Sequence, residues 1–194
     1  MTTRVVLFNG PPKSGKNTAC DILHHKYDAE HYSFAEPLKI LTHQFFGLTS
    51  IGSDRFEQQK SIPLPEFKNM TPRMAYIYMS EQIVKPFFGK NVWAERLVAS
   101  IQHDIAKNYC NGFAVVSDLG FPYELDPIVE AFGGENVFIV RLYRTGCDFV
   151  SDSRQYVNRP DLTRTKCVDI RNNSDVLSFH NEINAFAKGV LKLK

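Results

Sequence analysis

Val5-Val6-Leu7-Phe8, running on into Asn9-Gly10-Pro11-Pro12-Lys13-Ser14-Gly15-Lys16-Asn17-Thr18, is the stretch on which the reading of this chain turns. The four apolar residues are a short, partly β-branched run that closes into Asn-Gly-Pro-Pro, as a buried parallel strand does when it enters a loop. From Asn17 to Tyr27, Ala19, Ile22 and Leu23 recur at helical spacing among polar residues, which predicts an amphipathic helix directly after the loop. Gly10 to Lys16 has the G-x-x-x-x-G-K spacing of a phosphate-binding loop, in the strand-before, helix-after context that the motif requires. Its glycines let backbone N–H groups from Lys13 to Thr18 converge on one centre, and the helix N-terminus adds the positive end of its dipole. Gly10, Pro12, Lys13, Ser14, Gly15, Lys16, Asn17 and Thr18 are thus candidates to hold the tail of a nucleoside triphosphate. Lys16 would act catalytically as a point charge on the β- and γ-phosphates. The competing reading is a plain turn with Gly15 near a helix start. The general motif has a Ser or Thr hydroxyl for Mg²⁺ immediately after the lysine; here Asn17 stands there and the hydroxyl comes at Thr18, so both are candidate metal ligands.

Working outward, Glu36 to Phe46 is predicted helical, with Pro37 in its first turn and Gly47 as its stop. Leu48 to Met70 is polar and proline-containing and reads as a mobile insertion. Thr71-Pro72-Arg73 restarts a helix, and Trp93 to Lys107 forms another. Phe113 to Asp118 and Asn136 to Leu142 are buried-strand candidates, with Pro127 to Phe132 helical between them. From Ser174 to Leu193, Val176, Phe179, Ile183, Phe186 and Val190 fall at steps of three and four, predicting a closing helix. Strands alternating with helices imply an α/β fold, a three-layer α/β/α arrangement of P-loop NTPase type around a mainly parallel sheet. Asp118 ends a buried strand on the side where ligands gather in such sheets, and is a candidate Mg²⁺ and substrate residue. Capping the next turn or pairing with a surface lysine is its alternative role.

The length of 194 residues, with 43% hydrophobic and 23% charged residues, suits a single domain over 1–194 with a sizeable core. A formal charge of +2 excludes a strong general field for nucleic acid or membrane, so any anion site is local. Cys20, Cys110, Cys147 and Cys167 lack zinc-site spacing and read as reduced thiols of a cytoplasmic protein. The apolar run near the N-terminus is too short for a signal peptide or a membrane span.

The order of Gly10 to Thr18, Phe34-Ala35-Glu36-Pro37-Leu38-Lys39, Thr71-Pro72-Arg73, Asn91-Val92-Trp93 and Ser117-Asp118 with Phe121 to Glu124 resembles the deoxynucleoside monophosphate kinases of bacteriophages. These share a P-loop fold with adenylate and guanylate kinases. The resemblance implies transfer of the γ-phosphoryl of ATP to a deoxynucleoside monophosphate (dNMP), with Mg²⁺ as cofactor, in the host-cell cytoplasm if the chain is phage-encoded. A homodimer is compatible with it. It also implies a helical acceptor-binding region over about 34–110, in which Phe34, Ala35, Lys39 and Arg73 line the monophosphate pocket and Trp93 lies near the acceptor base. Trp93 and Phe34 also suit plain core packing, and Arg73 a surface ion pair. Two departures stand out. Asn17 replaces an aspartate, and Gly120 replaces an arginine whose anion contact another arginine would have to supply.

Arg141, Arg144, Arg154, Arg159 and Arg164 are interleaved with Asp148, Asp152 and Asp161. Similar kinases close an arginine-bearing lid here, over about 144–166. Arg154 and Arg159 are the candidate catalytic lid residues, and Arg144 and Asn173 the candidates for the nucleotide's other end; a solvated mixed-charge face, and a turn with a helix cap, are the other readings. The runner-up functions are a kinase for another small phosphorylated acceptor and a nucleotide-binding regulatory module. No Asn-Lys-x-Asp guanine signature is present, and no basic stripe suggests nucleic acid.

Overall fold

The computed structural model describes residues 3–48, 53–150 and 152–193. Five strands, β1 (Arg4–Asn9), β2 (Glu30–Tyr32), β3 (Phe113–Leu119), β4 (Val137–Tyr143) and β5 (Lys166–Arg171), form one parallel sheet in the order β2-β3-β1-β4-β5. Central β1 reads as continuous apolar sequence because both faces of its strand are covered: Val5 to Phe8 are all 0% exposed. Val6 and Phe8 pack against α1 (Lys16–Tyr27) and α8 (Val176–Gly189), through Ala19, Leu23, Phe179 and Ile183. Val5 and Leu7 point the other way, onto α6 (Val92–Ala106) and α7 (Leu125–Phe132), through Leu97, Ile101, Leu125 and Ile128. The period-two alternation of strand side chains therefore builds two cores and the three-layer fold. Each such large buried side chain contributes about 1.5–3 kcal/mol.

Between β2 and β3 lies the helical region: α2 (Ala35–Phe45), α3 (Ser53–Gln58), α4 (Pro72–Tyr78), a π-helical turn (Met79–Val84), α5 (Lys85–Phe88) and then α6. The described part of the stretch expected to be a mobile insertion is packed, while residues 49–52 of it lie outside the described residues. Phe56 and Phe67 are both 0% exposed and meet edge to face at 5.1 Å, beside His43, whose ring nitrogen lies 2.8 Å from the Tyr76 hydroxyl. Few apolar residues, widely spaced in a polar sequence, suffice for this satellite core.

Two sequence expectations shift. The closing helix starts at Val176, capped by Asp175, and Val176 is 71% exposed, so the buried stripe begins only at Phe179. β5 was not expected: it is an edge strand in which only Ile170 is buried, so its sequence carries no apolar run. The four cysteines are free, and no described helix is long and apolar enough to cross a membrane.

Candidate active site

The loop after β1 curls over the C-terminal end of the sheet, with Lys13 and Gly15 both in the left-handed region, at φ 66° and 103°. Space as well as conformation demands glycine here. A Cβ on Gly10 would stand 2.7 Å from the Leu142 carbonyl oxygen, and one on Gly15 would stand 2.5 Å from Asn172 Nδ2. Asn172 donates to the Ser14 carbonyl at 2.9 Å and so locks the loop to the end of β5. Ser14 Oγ is buried with no hydrogen-bond partner, an orphan polar atom inside the loop. The first N–H groups of α1 have no intrahelical partner, so the loop and helix together present a cluster of donors.

Lys16 Nζ donates to the Gly10 and Pro11 carbonyls, both at 2.7 Å. Burial, then the like charge of Arg154, push its ammonium down to about 8, against a partial offset from Asp118 and Asp152. Asn17 and Thr18 are exposed on the first turn of α1.

Asp118, at the end of β3, has both carboxylate oxygens engaged. Oδ1 accepts from Phe34 N at 2.9 Å, and Oδ2 accepts from Ser33 Oγ at 2.8 Å and Ala35 N at 3.0 Å. It caps α2 from a neighbouring strand, which supports the capping alternative, though toward α2 rather than toward the next turn. Phe34 is 4% exposed and belongs to the core beneath the sheet end, while Ala35 meets Asp118 through its backbone.

Two clefts meet the loop from opposite sides. One, of about 890 Å³, runs from Asn17 and Ser117 between α2, α6 and β2, lined by Tyr32, Lys39, Trp93, Arg96 and Asp104. Trp93, 9% exposed, sits in its wall and donates to Ser80 Oγ at 2.9 Å, which combines the packing role with a place in the cleft. Lys39 is paired with Glu57 at 3.2 Å. The second cleft, about 470 Å³, is lined by Tyr143, Arg144, Thr145, Tyr156, Arg171 and Asn173. Arg144 donates to the Lys13 carbonyl at 3.1 Å, and Asn173 accepts from Thr145 N at 2.7 Å, so both residues expected at the nucleotide's far end border this cleft.

The described residues of the arginine segment cross the loop mouth without helical structure. Asn9 holds it: its amide donates to the Leu119 and Gln155 carbonyls at 2.8 and 3.1 Å and accepts from Val157 N at 2.8 Å. Arg154 grips Asp152 through Nε at 2.9 Å and Nη2 at 2.6 Å. Its stem lies where a side chain on residue 120 would be, since a Cβ on Gly120 would stand 2.4 Å from Arg154 Cδ. The guanidinium absent at Gly120 thus has a spatial substitute arriving from residue 154. Arg73 is exposed at the start of α4, and its charge acts on Asp152.

Arg159, expected beside Arg154 in catalysis, is committed elsewhere. Its guanidinium donates to the Pro122 carbonyl, to Asp126 and to Asp161, each at 2.8 Å, and ties the segment to the first turn of α7. These acceptors hold its guanidinium at the start of α7. Sequence reasoning assigned no role to Glu124, which is buried and accepts from Gly120 N and Phe121 N at 2.9 Å each; burial pushes its carboxyl up to about 7. Nor did it single out Asp152, whose side chain is 4% exposed. In sequence both are ordinary acidic residues; Asp152 stands two positions from Arg154, and Glu124 is brought near it only by the fold.

No family model matches the chain. A protein of Acanthamoeba polyphaga mimivirus carrying the name "Putative deoxynucleotide monophosphate kinase" is 25% identical over 183 residues, spanning 90% of this chain and 91% of that protein. Among solved structures, a sugar kinase from Janibacter sp. HTCC2649 superposes with a TM-score of 0.54 at 12% identity, over 98% of this chain and 95% of its own. TT1252 from Thermus thermophilus superposes with a TM-score of 0.53 at 10% identity, over the whole of both chains. These likenesses agree with the α/β fold described above, a five-stranded parallel sheet flanked by helices.

Proposed function

We propose that the chain is an ATP-dependent kinase that transfers the γ-phosphoryl group to a deoxynucleoside 5′-monophosphate, giving a diphosphate and ADP. One observation carries this reading: the loop from Gly10 to Thr18 lies between two clefts, one bordered by Arg144 and Asn173 and the other by Asn17, Lys39 and Trp93. That is what a donor and an acceptor need in order to meet across one loop. The mimivirus relative's name supports the same acceptor class.

In this reading the loop amides bind the donor's phosphates, and Lys16 leaves the Gly10 and Pro11 carbonyls for the β- and γ-oxygens. Arg154 and Arg73 screen the repulsion between the two anionic substrates and stabilise charge as the γ-phosphorus leaves the bridging oxygen for an acceptor phosphate oxygen. The acceptor is already an oxyanion, so no general base is required. Arg144 and Asn173 flank the nucleoside end of the donor, and Lys39 and Trp93 flank the acceptor. Asn17, Thr18 and, through a lone pair beyond its contacts with the start of α2, Asp118 would hold Mg²⁺ with oxygen donors of the kind that ion takes. The ion would neutralise charge on the β- and γ-phosphates.

The test is ADP release with each dNMP in turn, set against ribonucleoside monophosphates and other small phosphorylated acceptors. Lys16→Ala should lower kcat for every acceptor by about a hundredfold or more. Arg73→Ala should mainly harm acceptor use. If no dNMP raises ADP release above the ATP-only background while the folded protein binds ATP, the acceptor assignment is wrong.

A further inference from the structure

Of the described cations around the loop mouth, Arg154 is the one in an ion pair with a carboxylate, that of Asp152. Arg154 holds Asp152 side-on through Nε and Nη2, at 2.9 and 2.6 Å, the two-pronged grip that a guanidinium also gives a phosphate. Asp152 Oδ1 accepts from the Arg154 backbone N–H as well, at 3.0 Å. Its stem lies in the space left open by Gly120, which brings the guanidinium over the loop. The grip on Arg154, then burial, dominate the environment of Asp152 and on balance hold its carboxyl down to about 2, with the charge of Arg73 adding to the effect. Asp152 in turn acts on Lys16, which is itself bonded to two carbonyls of the loop. Each of these two half-buried cations is therefore held by an acceptor from the protein. A carboxylate left in place beside an incoming phosphate would add like-charge repulsion where the charge is already greatest.

From this we propose that Asp152 stands in for the terminal phosphate of the donor on Arg154 and is a specificity-determining residue of the reaction. It keeps Arg154 occupied until the phosphoryl group is ready to move, which disfavours transfer to water. In that side reaction a water oxygen forms the new bond to the terminal phosphorus, the bond to the bridging oxygen breaks, ADP leaves and the water's proton passes to the phosphate released. The inference rests on the donor-binding half of the reading above and makes no use of the acceptor's identity.

The experiment is calorimetric titration of wild type and Asp152→Asn, in Mg²⁺, with ADP and with the ATP analogue bearing an imido β–γ bridge. The substitution removes the competing charge while keeping the size, so the triphosphate analogue should bind about tenfold tighter, with ADP unchanged. ATP hydrolysis without acceptor should rise. Arg154→Ala should erase both effects, so that the double variant matches Arg154→Ala alone. Weaker binding of the analogue by Asp152→Asn would mean that Asp152 orients Arg154, and would overturn the proposal. An equal change for ADP would overturn it too, as would tighter binding of a monophosphate in place of the analogue. Should Asp152→Asn fail to fold, the Arg154 Nε–H resonance of wild type gives the answer. The analogue must shift it and ADP must not; a resonance that neither ligand moves refutes the exchange.

Discussion

Asp118→Asn separates the two roles that the sequence leaves open for this residue. Asp118 receives three donors, Phe34 N, Ser33 Oγ and Ala35 N, at 2.9, 2.8 and 3.0 Å, and no side chain of α2 caps that helix itself. An asparagine keeps one acceptor oxygen and turns an NH₂ group toward the others. Whichever way the amide sits, at least one backbone N–H at the start of α2 faces a donor. Ala35 N retains Ser33 Oγ as an acceptor at 3.1 Å, so the cost is that of the lost charge-assisted bonds, about 1.5–3 kcal/mol. Losing the negative charge at the helix N-terminus adds about 0.3–1 kcal/mol. The total of about 2–4 kcal/mol corresponds, for a chain of this length, to a fall in Tm of about 5–15 °C. Thermal melts and urea titrations of the ligand-free protein measure it directly, with no metal or nucleotide needed. A variant that melts within about 2 °C of wild type yet loses turnover would refute the capping account and leave Asp118 as a metal or substrate residue alone.

Other outcomes follow from neighbouring groups. Glu124 has its carboxyl pushed up to about 7 by burial, so its contribution to stability is fully present below the ordinary carboxylate range and is lost as pH rises through 7. Urea midpoints of wild type should therefore fall relative to Glu124→Gln between pH 5 and 8, and parallel pH profiles would remove the assignment. Lys16, held down to about 8, should regain a proton when phosphate replaces its carbonyl partners. Calorimetry at about pH 8.5 in buffers of different ionisation enthalpy should then show proton uptake on ADP binding, absent in Lys16→Met. Arg159→Ala cuts the tie to Asp126, Asp161 and the Pro122 carbonyl and should lower stability by about 1–3 kcal/mol while kcat changes only a few-fold. A collapse of kcat at unchanged Tm would instead give Arg159 the catalytic role its sequence position suggests.

The loop and the sheet were legible because their signals are local. Gly10 and Gly15 sit at fixed spacing, and Val5 to Phe8 declare a strand buried on both faces. β5 was invisible for the opposite reason, since an edge strand with one buried residue has no apolar pattern to read. The described part of the insertion hid its order, because Phe56 and Phe67 meet only after the chain has folded back on itself. Gly120 read as a loss and proves to be a vacancy filled by Arg154, a pairing across 34 positions that no motif encodes. Arg154 and Arg159 look alike in the sequence, and what separates them is which carboxylates the fold brings within reach: Asp152 over the loop for one, Asp126 at the start of α7 for the other.

Asn9 gives the arginine segment an unusual mechanical character. One neutral amide, acting as donor on one side and acceptor on the other, rivets the stretch around Gln155 and Val157 to the tips of β1 and β3. A flap fastened in its middle cannot lift as a whole. On one side of the rivet Arg144 borders the second cleft, and on the other Arg159 is moored to the first turn of α7, so the two sides have different neighbours. An aspartate at that position would press one oxygen, in place of Nδ2, against the Leu119 and Gln155 carbonyls and loosen the rivet, so the side chain has to be an amide for both sides to be held.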